Sequence, residues 1–199
     1  MFLLGHMGIT LAAAQVMDFA VLRVRHLPAH GIEEAKQYDG AVSNKPGLIS
    51  KIDVRLLFLG AVLPDIIDKP LGHIIFRNTL DNGRIYCHTL LFTIILSLAA
   101  FYLWKYKHKT WFIPIAFGVF MHLVLDEMWL EPHTLLWPLY GVSFQPGDWD
   151  FYWGEIVHRF SLEPSIYIPE IIGGSILILV AILIVRRKHV HTFLRSGHL

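Results

Sequence analysis

The chain has 199 residues, the length of one ordinary domain. Apolar residues make up 54% of it and charged residues 17%, and the mean hydropathy is +0.50. This balance excludes an ordinary soluble domain and indicates a membrane protein. A net charge of +1 gives no basis for nucleic-acid binding, and the single cysteine, Cys87, excludes a disulfide within the chain.

Apolar segments of helical length follow one another along the chain. They predict an all-α, polytopic membrane protein with about five embedded helices in a single domain, 1–199. The second segment is short for a full crossing and fits a tilted or re-entrant helix. The five segments are residues 2–22, 52–67, 85–104, 111–130 and 166–185.

The connections differ in composition. The polar loop 23–51 carries prolines and glycines, with a short surface helix expected over 31–38. Residues 142–165 continue an aromatic-rich outer loop that suits a membrane interface. A basic tail, 186–199, follows the last segment and ends the chain.

The positive charges orient these segments. Most of the 17 Lys and Arg residues lie in the 23–51 loop, in 105–109 and in the basic tail, which five crossings place on the same side. Cytoplasmic loops carry an excess of Lys and Arg. We therefore expect a multi-pass protein of the cell (inner) membrane, with the N-terminus outside and the C-terminus in the cytoplasm.

One apolar segment carries an imidazole and a carboxylate together. His122 and Asp126 lie four residues apart in Phe117–Trp129, so on a helix they share a face. Ionisable groups in hydrocarbon are costly unless each has a partner, and inside membranes they usually serve function. A divalent metal ion is a partner that both side chains can share.

The predicted topology brings more such groups to the same depth, near the outer face. Three imidazoles and three carboxylates from four segments suit zinc, with manganese or iron as alternatives. We expect Asp68 to support a ligand or to pair with Lys69 rather than to bind the ion. The simpler interpretations are a hydrogen bond between helices for a single histidine and a turn or cap role for Asp65, which follows Pro64. The six residues are His6, Asp65, Asp68, His88, His122 and Asp126.

Arg84 precedes His88 by four residues, so a helix through both would place them on one face. A guanidinium beside a metal ion can hold a phosphate or carboxylate substrate with two hydrogen bonds. The alternative is an interfacial arginine that extends toward lipid headgroups.

Five short motifs give the chain a family resemblance. They are GHMGIT, GAVLPDIID, GRIYCHTLLF, GVFMHLVLD and LLWPLYG, in that order over residues 1–141. The ordered set resembles the membrane-bound metal-dependent hydrolases of the YdjM-like type. The resemblance implies a helical membrane protein with a His/Asp metal centre, whose ligands are His6, Asp65, His88, His122 and Asp126.

The resemblance has one departure. Many members carry a histidine where this chain has Gly83, so one ligand fewer is available and a complete two-metal site is in doubt. The family is also distantly similar to zinc-dependent phospholipases C and P1-type nucleases, which cleave phosphodiesters.

Three functions remain open from the sequence. The first is a hydrolase that acts on a lipid or phosphoester through a metal-activated water, with Asp65 or Asp126 as base and Arg84 stabilising negative charge. Its partners would be membrane lipids, with no nucleic acid. The second is an ion- or proton-conducting protein, and the third is a scaffold whose metal site is structural.

Overall fold

The computed structural model describes residues 3–25, 52–146 and 160–198, and within these ranges every regular element is a helix. This confirms the all-α prediction. A single π-helical turn, Leu71–Ile75, extends the second helix, and a 3₁₀ turn, Met128–Leu130, follows the fourth. The helices are α1 Leu3–Arg25, α2 Val54–Pro70, α3 Leu90–Lys107, α4 Ile113–Leu125, α5 Pro132–Leu135, α6 Pro164–Arg186 and α7 Val190–Ser196.

Three of these helices are long and apolar enough to cross a membrane: α1 over Leu3–Val21, α3 and α6. Helix α4 is apolar but has only 13 residues, and α2 has 17. The predicted third segment, 85–104, starts too early, because the helix begins at Leu90. Thr89 is its N-cap, and the Thr89 hydroxyl accepts a hydrogen bond from the Phe92 N–H. The surface helix expected over 31–38 lies outside the described residues.

Glycines allow two helix pairs to pack with their backbones in contact. On α2 and α4, a Cβ at Gly60 would lie 2.3 Å from the Ile115 carbonyl oxygen, and one at Gly118 would lie 2.6 Å from the Ala61 nitrogen. On α1 and α6, a Cβ at Gly8 would lie 2.1 Å from the Gly173 carbonyl oxygen. Small residues at crossings of this kind are typical of membrane helices.

The interior beneath these crossings is apolar. Leu11 and Ala14 of α1 pack with Val54 and Leu57 of α2, and all four are buried. The outer faces of α3 and α6 expose large apolar side chains such as Leu98 and Ile178. Apolar side chains exposed along helices of spanning length are the expected lipid-facing surface.

Hydrogen bonds join the start of α2 to the C-terminal helix α7 and the glycine that follows it. Asp53 caps α2 through the Arg55 N–H, and its carboxylate pairs with the Arg55 guanidinium at 2.7 Å. This guanidinium also donates to the Leu194 carbonyl, and the Val54 N–H donates to the Gly197 carbonyl, at 2.9 Å each. The hydrogen bonding that the Arg55 side chain donates to Asp53 is the main cause that lowers the pKa of this carboxyl.

Candidate metal centre

Four side chains from α2, α4 and the turn before α3 converge at the opposite end of the bundle. One ligand atom from each of Asp65, His88, His122 and Asp126 lies within 4.8 Å of all the others. The two histidine Nε2 atoms are 3.2 Å apart. Asp65 Oδ1 lies 3.6 Å from His88 Nε2 and 3.8 Å from His122 Nε2. Asp126 Oδ2 lies 3.9 Å from both of these nitrogens.

These separations fit one small ion. Zinc binds imidazole nitrogen and carboxylate oxygen at about 2.0–2.1 Å in a tetrahedron, so its ligand atoms lie about 3.3 Å apart. The five distances above run from 3.2 to 3.9 Å. All four atoms lie within 4.8 Å of one another, so small shifts of the side chains would bring them to the ligand separations of a zinc ion.

The orientation of His122 follows from the close packing of α2 and α4. Its Nδ1–H donates to the Ala61 carbonyl at 2.7 Å, since a carbonyl oxygen can only accept. The Nε2 lone pair then faces the other three ligand atoms. Gly118, one turn earlier on α4, lets the two backbones come close enough for this bond.

His88 is supported from behind by Asp68, which is fully buried. Its ring Nδ1 donates to Asp68 Oδ2 at 2.8 Å, and the backbone N–H groups of Ile85, Cys87 and His88 donate to the same carboxylate at 2.9–3.1 Å. A metal-binding histidine usually donates its other ring N–H to such a carboxylate, which fixes the tautomer and ring orientation.

Asp126 joins the four-residue cluster to His6. Asp126 is the residue that ends α4, and its Oδ1 lies 3.1 Å from His6 Nε2. The His6 and His122 rings stack with centroids 4.2 Å apart, and both are buried. His6 is therefore next to the cluster through Asp126 and is not one of its four converging residues.

Arg84 lies at the edge of the cluster, but not by the route expected from sequence. Residues 84–89 form a turn rather than a helix, so Arg84 and His88 do not share a helical face. Arg84 instead contacts Asp126 Oδ2 at 3.2 Å and Glu131 Oε1 at 2.5 Å. Two acidic partners hold its guanidinium beside the ligand atoms.

The sequence interpretation missed two polar groups around the site. Lys69 pairs with Asp65 at 2.6 Å rather than with Asp68, and the i,i+4 spacing was the signal for this pair. Glu170, the only acidic residue within α6, is buried and accepts hydrogen bonds from the Leu4 and Gly5 N–H groups at 3.0 Å. It thereby holds the first turn of α1, which carries His6, against α6.

Comparison with known proteins identifies the family. The family model described as YdjM inner membrane protein matches residues 1–192, so the likeness extends beyond the motifs in 1–141. No curated protein and no solved structure gives a match. The family match covers nearly the whole chain and agrees with the apolar helices described above. The chain therefore belongs to the YdjM inner membrane protein family.

Proposed function

We propose that this protein is a membrane-embedded, metal-dependent hydrolase that acts on a lipid or phosphoester substrate through a metal-activated water. The observation that carries the proposal is the convergence of His88, His122, Asp126 and Asp65, whose potential ligand atoms lie within 4.8 Å of one another. Three of them can bind the ion, which leaves a fourth position for water. Both histidines direct Nε2 into the cluster because Nδ1 is used elsewhere. Two lone pairs and two carboxylates facing one another repel unless a cation lies between them.

The donor set favours zinc, with manganese and iron as the alternatives. Two imidazole nitrogens with carboxylate oxygens are ligands that zinc commonly takes. When bound, such an ion lowers the pKa of a coordinated water and polarises the bond to be cleaved. Competition among the three metals in purified protein would identify which one the site retains.

The side chains of Asp65 and Asp126 differ in solvent exposure, and we assign them different roles in catalysis on this basis. Asp126 is 5% exposed and held by His6 and Arg84, so we assign it to the ion together with His88 and His122. Asp65 is 20% exposed and faces the open side of the cluster, so we assign it as the base that accepts the proton of the attacking water. Arg84 then stabilises the negative charge that develops on the substrate.

We infer from the distribution of Lys and Arg that the centre faces the outside of the cell. Asp65, His88 and His122 lie at helix ends that this orientation places near the outer leaflet. A lipid or lipid-linked substrate could then reach the centre from that leaflet. Membrane lipids are the partners that this arrangement requires.

The proposed roles can be separated by two isosteric variants. Asp126→Asn removes a ligand, so it should lose both bound metal and hydrolysis of a chromogenic phosphodiester such as bis(p-nitrophenyl) phosphate. Asp65→Asn should keep most of the metal but lose hydrolysis, because the base is gone. Wild-type hydrolysis by the Asp65 variant would show that this assignment is wrong.

A structural metal site is the second candidate, and one observation favours it. Four protein ligands complete a tetrahedron, whereas catalytic zinc sites usually have three and leave one position for water. Under this alternative, zinc-loaded wild-type protein hydrolyses no phosphoester or lipid, and chelation lowers its thermal stability.

An ion path is less compatible with the structure, because the buried core cluster beneath the centre consists of Leu11, Ala14, Val54 and Leu57.

A further inference from the structure

The open side of the metal centre is bordered by two cations. The side chains of His88 and His122 are fully buried, and Asp126 is nearly so. Exposure rises to 35% at Arg84 and 45% at Lys69. Glu131, the partner of Arg84, is 42% exposed, so a molecule that approaches the cluster meets this carboxylate together with the two cations.

Each cation is attached to a different carboxylate of the cluster. Lys69 Nζ lies 2.6 Å from Asp65 Oδ2, while the other oxygen, Oδ1, faces the histidines. Arg84 Nη2 lies 3.2 Å from Asp126 Oδ2. Two carboxylates of the cluster thus hold both cations beside the ion-binding volume.

The two cations are also neighbours in the fold. A Cβ placed at Gly83 would lie 3.1 Å from Lys69 Cγ, so the lysine side chain runs along the backbone beside Arg84. The position has no side chain, and this makes room for that path. The same Cβ would lie 2.8 Å from His73 Nε2, so a larger residue at Gly83 would crowd His73 as well as Lys69.

We propose that Lys69 and Arg84 form a phosphate-binding cradle at the mouth of the metal centre, so that the substrate carries a phosphate group. The inference rests on the proposed function and makes its substrate class specific. An ammonium has three donors and a guanidinium five. The bonds to Asp65, Asp126 and Glu131 leave donors on both groups for a second acceptor.

The geometry favours phosphate over a carboxylate. A carboxylate offers two oxygens in one plane, whereas a phosphate group directs its oxygens toward the corners of a tetrahedron. One oxygen can face the ion while others accept from the guanidinium fork and from the ammonium.

The test uses inorganic phosphate as the probe. Full-length protein loaded with Co²⁺ is titrated with phosphate, and the visible spectrum of the ion reports binding. We expect saturable binding by the wild type and at least about tenfold weaker binding by Lys69→Met and Arg84→Met, since each variant loses a charge-assisted hydrogen bond to the phosphate. Lys69→Arg should retain most of the affinity.

Lys107→Met is the matched control, because this exposed lysine ends α3 at the opposite end of the helix from Thr89 and His88. It should bind phosphate like the wild type. If Co²⁺ binds and phosphate does not, or if Lys69→Met and Arg84→Met bind phosphate like Lys107→Met, the cradle is refuted while the metal centre stands. If no ion binds, the proposed function fails and the cradle fails with it.

Competition identifies where the phosphate comes from. Phosphatidic acid in mixed micelles and a soluble phosphomonoester are each added against bound phosphate. Stronger competition by phosphatidic acid supports a lipid headgroup, and stronger competition by the soluble ester supports a water-soluble substrate. Failure of both to compete would contradict a phosphate-bearing substrate.

Discussion

Replacing Asp68 with asparagine tests whether the metal centre depends on a group that does not bind the ion. Asp68 is fully buried and receives hydrogen bonds from three backbone N–H groups and from the His88 ring. Asparagine keeps the shape of the side chain. It removes the negative charge and places an NH₂ group where one carboxylate oxygen was.

The magnitude follows from those four donors. A hydrogen bond to a charged group is worth about 1 kcal/mol more than one between neutral groups, so the variant should lose on the order of 3 kcal/mol of unfolding free energy. Loss of the carboxylate behind a metal-binding histidine typically weakens metal affinity by about 10–100-fold. Both effects should appear together, because the same carboxylate orders the turn and orients His88.

The assay is a chelator competition on purified protein, with unfolding temperature measured in parallel. Asp81→Asn is the matched control, because Asp81 accepts from His73 Nδ1 at 2.8 Å in a similar His–Asp pair that lies outside the four-residue cluster. We expect the control to bind metal like the wild type. Equal metal affinity in the wild type and in Asp68→Asn would refute the supporting role of this carboxylate.

Three further predictions concern the surrounding fold. Gly173→Ala should lower the unfolding temperature by the equivalent of about 1–3 kcal/mol, because its Cβ would lie 2.3 Å from the Leu4 carbonyl oxygen. Gly174→Ala is the control and should have a small effect, because its Cβ would meet only a side-chain carbon at 3.6 Å. Similar losses of stability in the two variants would contradict the close crossing of α1 and α6. Glu170→Ala should cost on the order of 2 kcal/mol, because the buried Gly5 N–H and the partly buried Leu4 N–H at the start of α1 lose their acceptor. Glu170→Gln should recover part of this loss in the same thermal assay. Burial raises the pKa of Cys87 from 9.0 to about 12, so the thiol is protonated at pH 7. Maleimide should therefore label this thiol slowly in the folded protein at pH 7 and rapidly after unfolding in detergent. Rapid labelling of the folded protein would contradict the buried environment of Cys87.

The sequence was sufficient to predict the helical class and the convergence of Asp65, His88, His122 and Asp126. Apolar segments of spanning length are a strong signal, and this explains the agreement for α1 and α6. The grouping of Asp65, His88, His122 and Asp126 follows from topology, because alternate helix ends meet on the same side of a bundle. His6 was expected at the same end, but spacing along a chain cannot show that it pairs with Asp126 and stacks on His122 instead of joining the four converging residues.

The errors have physical causes. Residues 85–89 are apolar enough to be predicted as the start of a helix. Backbone N–H groups of this stretch instead donate to Asp68, and the helix begins only at Leu90, with Thr89 as its N-cap. Hydrogen bonds between residues far apart in sequence leave no local pattern. The same reason explains why the contacts of Arg84 with Glu131 and of Glu170 with α1 were not predicted.

The central claim is that a metal ion binds at the cluster, with His88, His122 and Asp126 as its ligands. The most direct test is the metal content of detergent-purified protein, measured by elemental analysis for the wild type and for His122→Ala. We predict about one bound zinc, manganese or iron ion per chain in the wild type and a large loss in the variant, because His122 directs Nε2 into the cluster. A wild-type protein without metal, or a variant with unchanged metal content, would contradict the account.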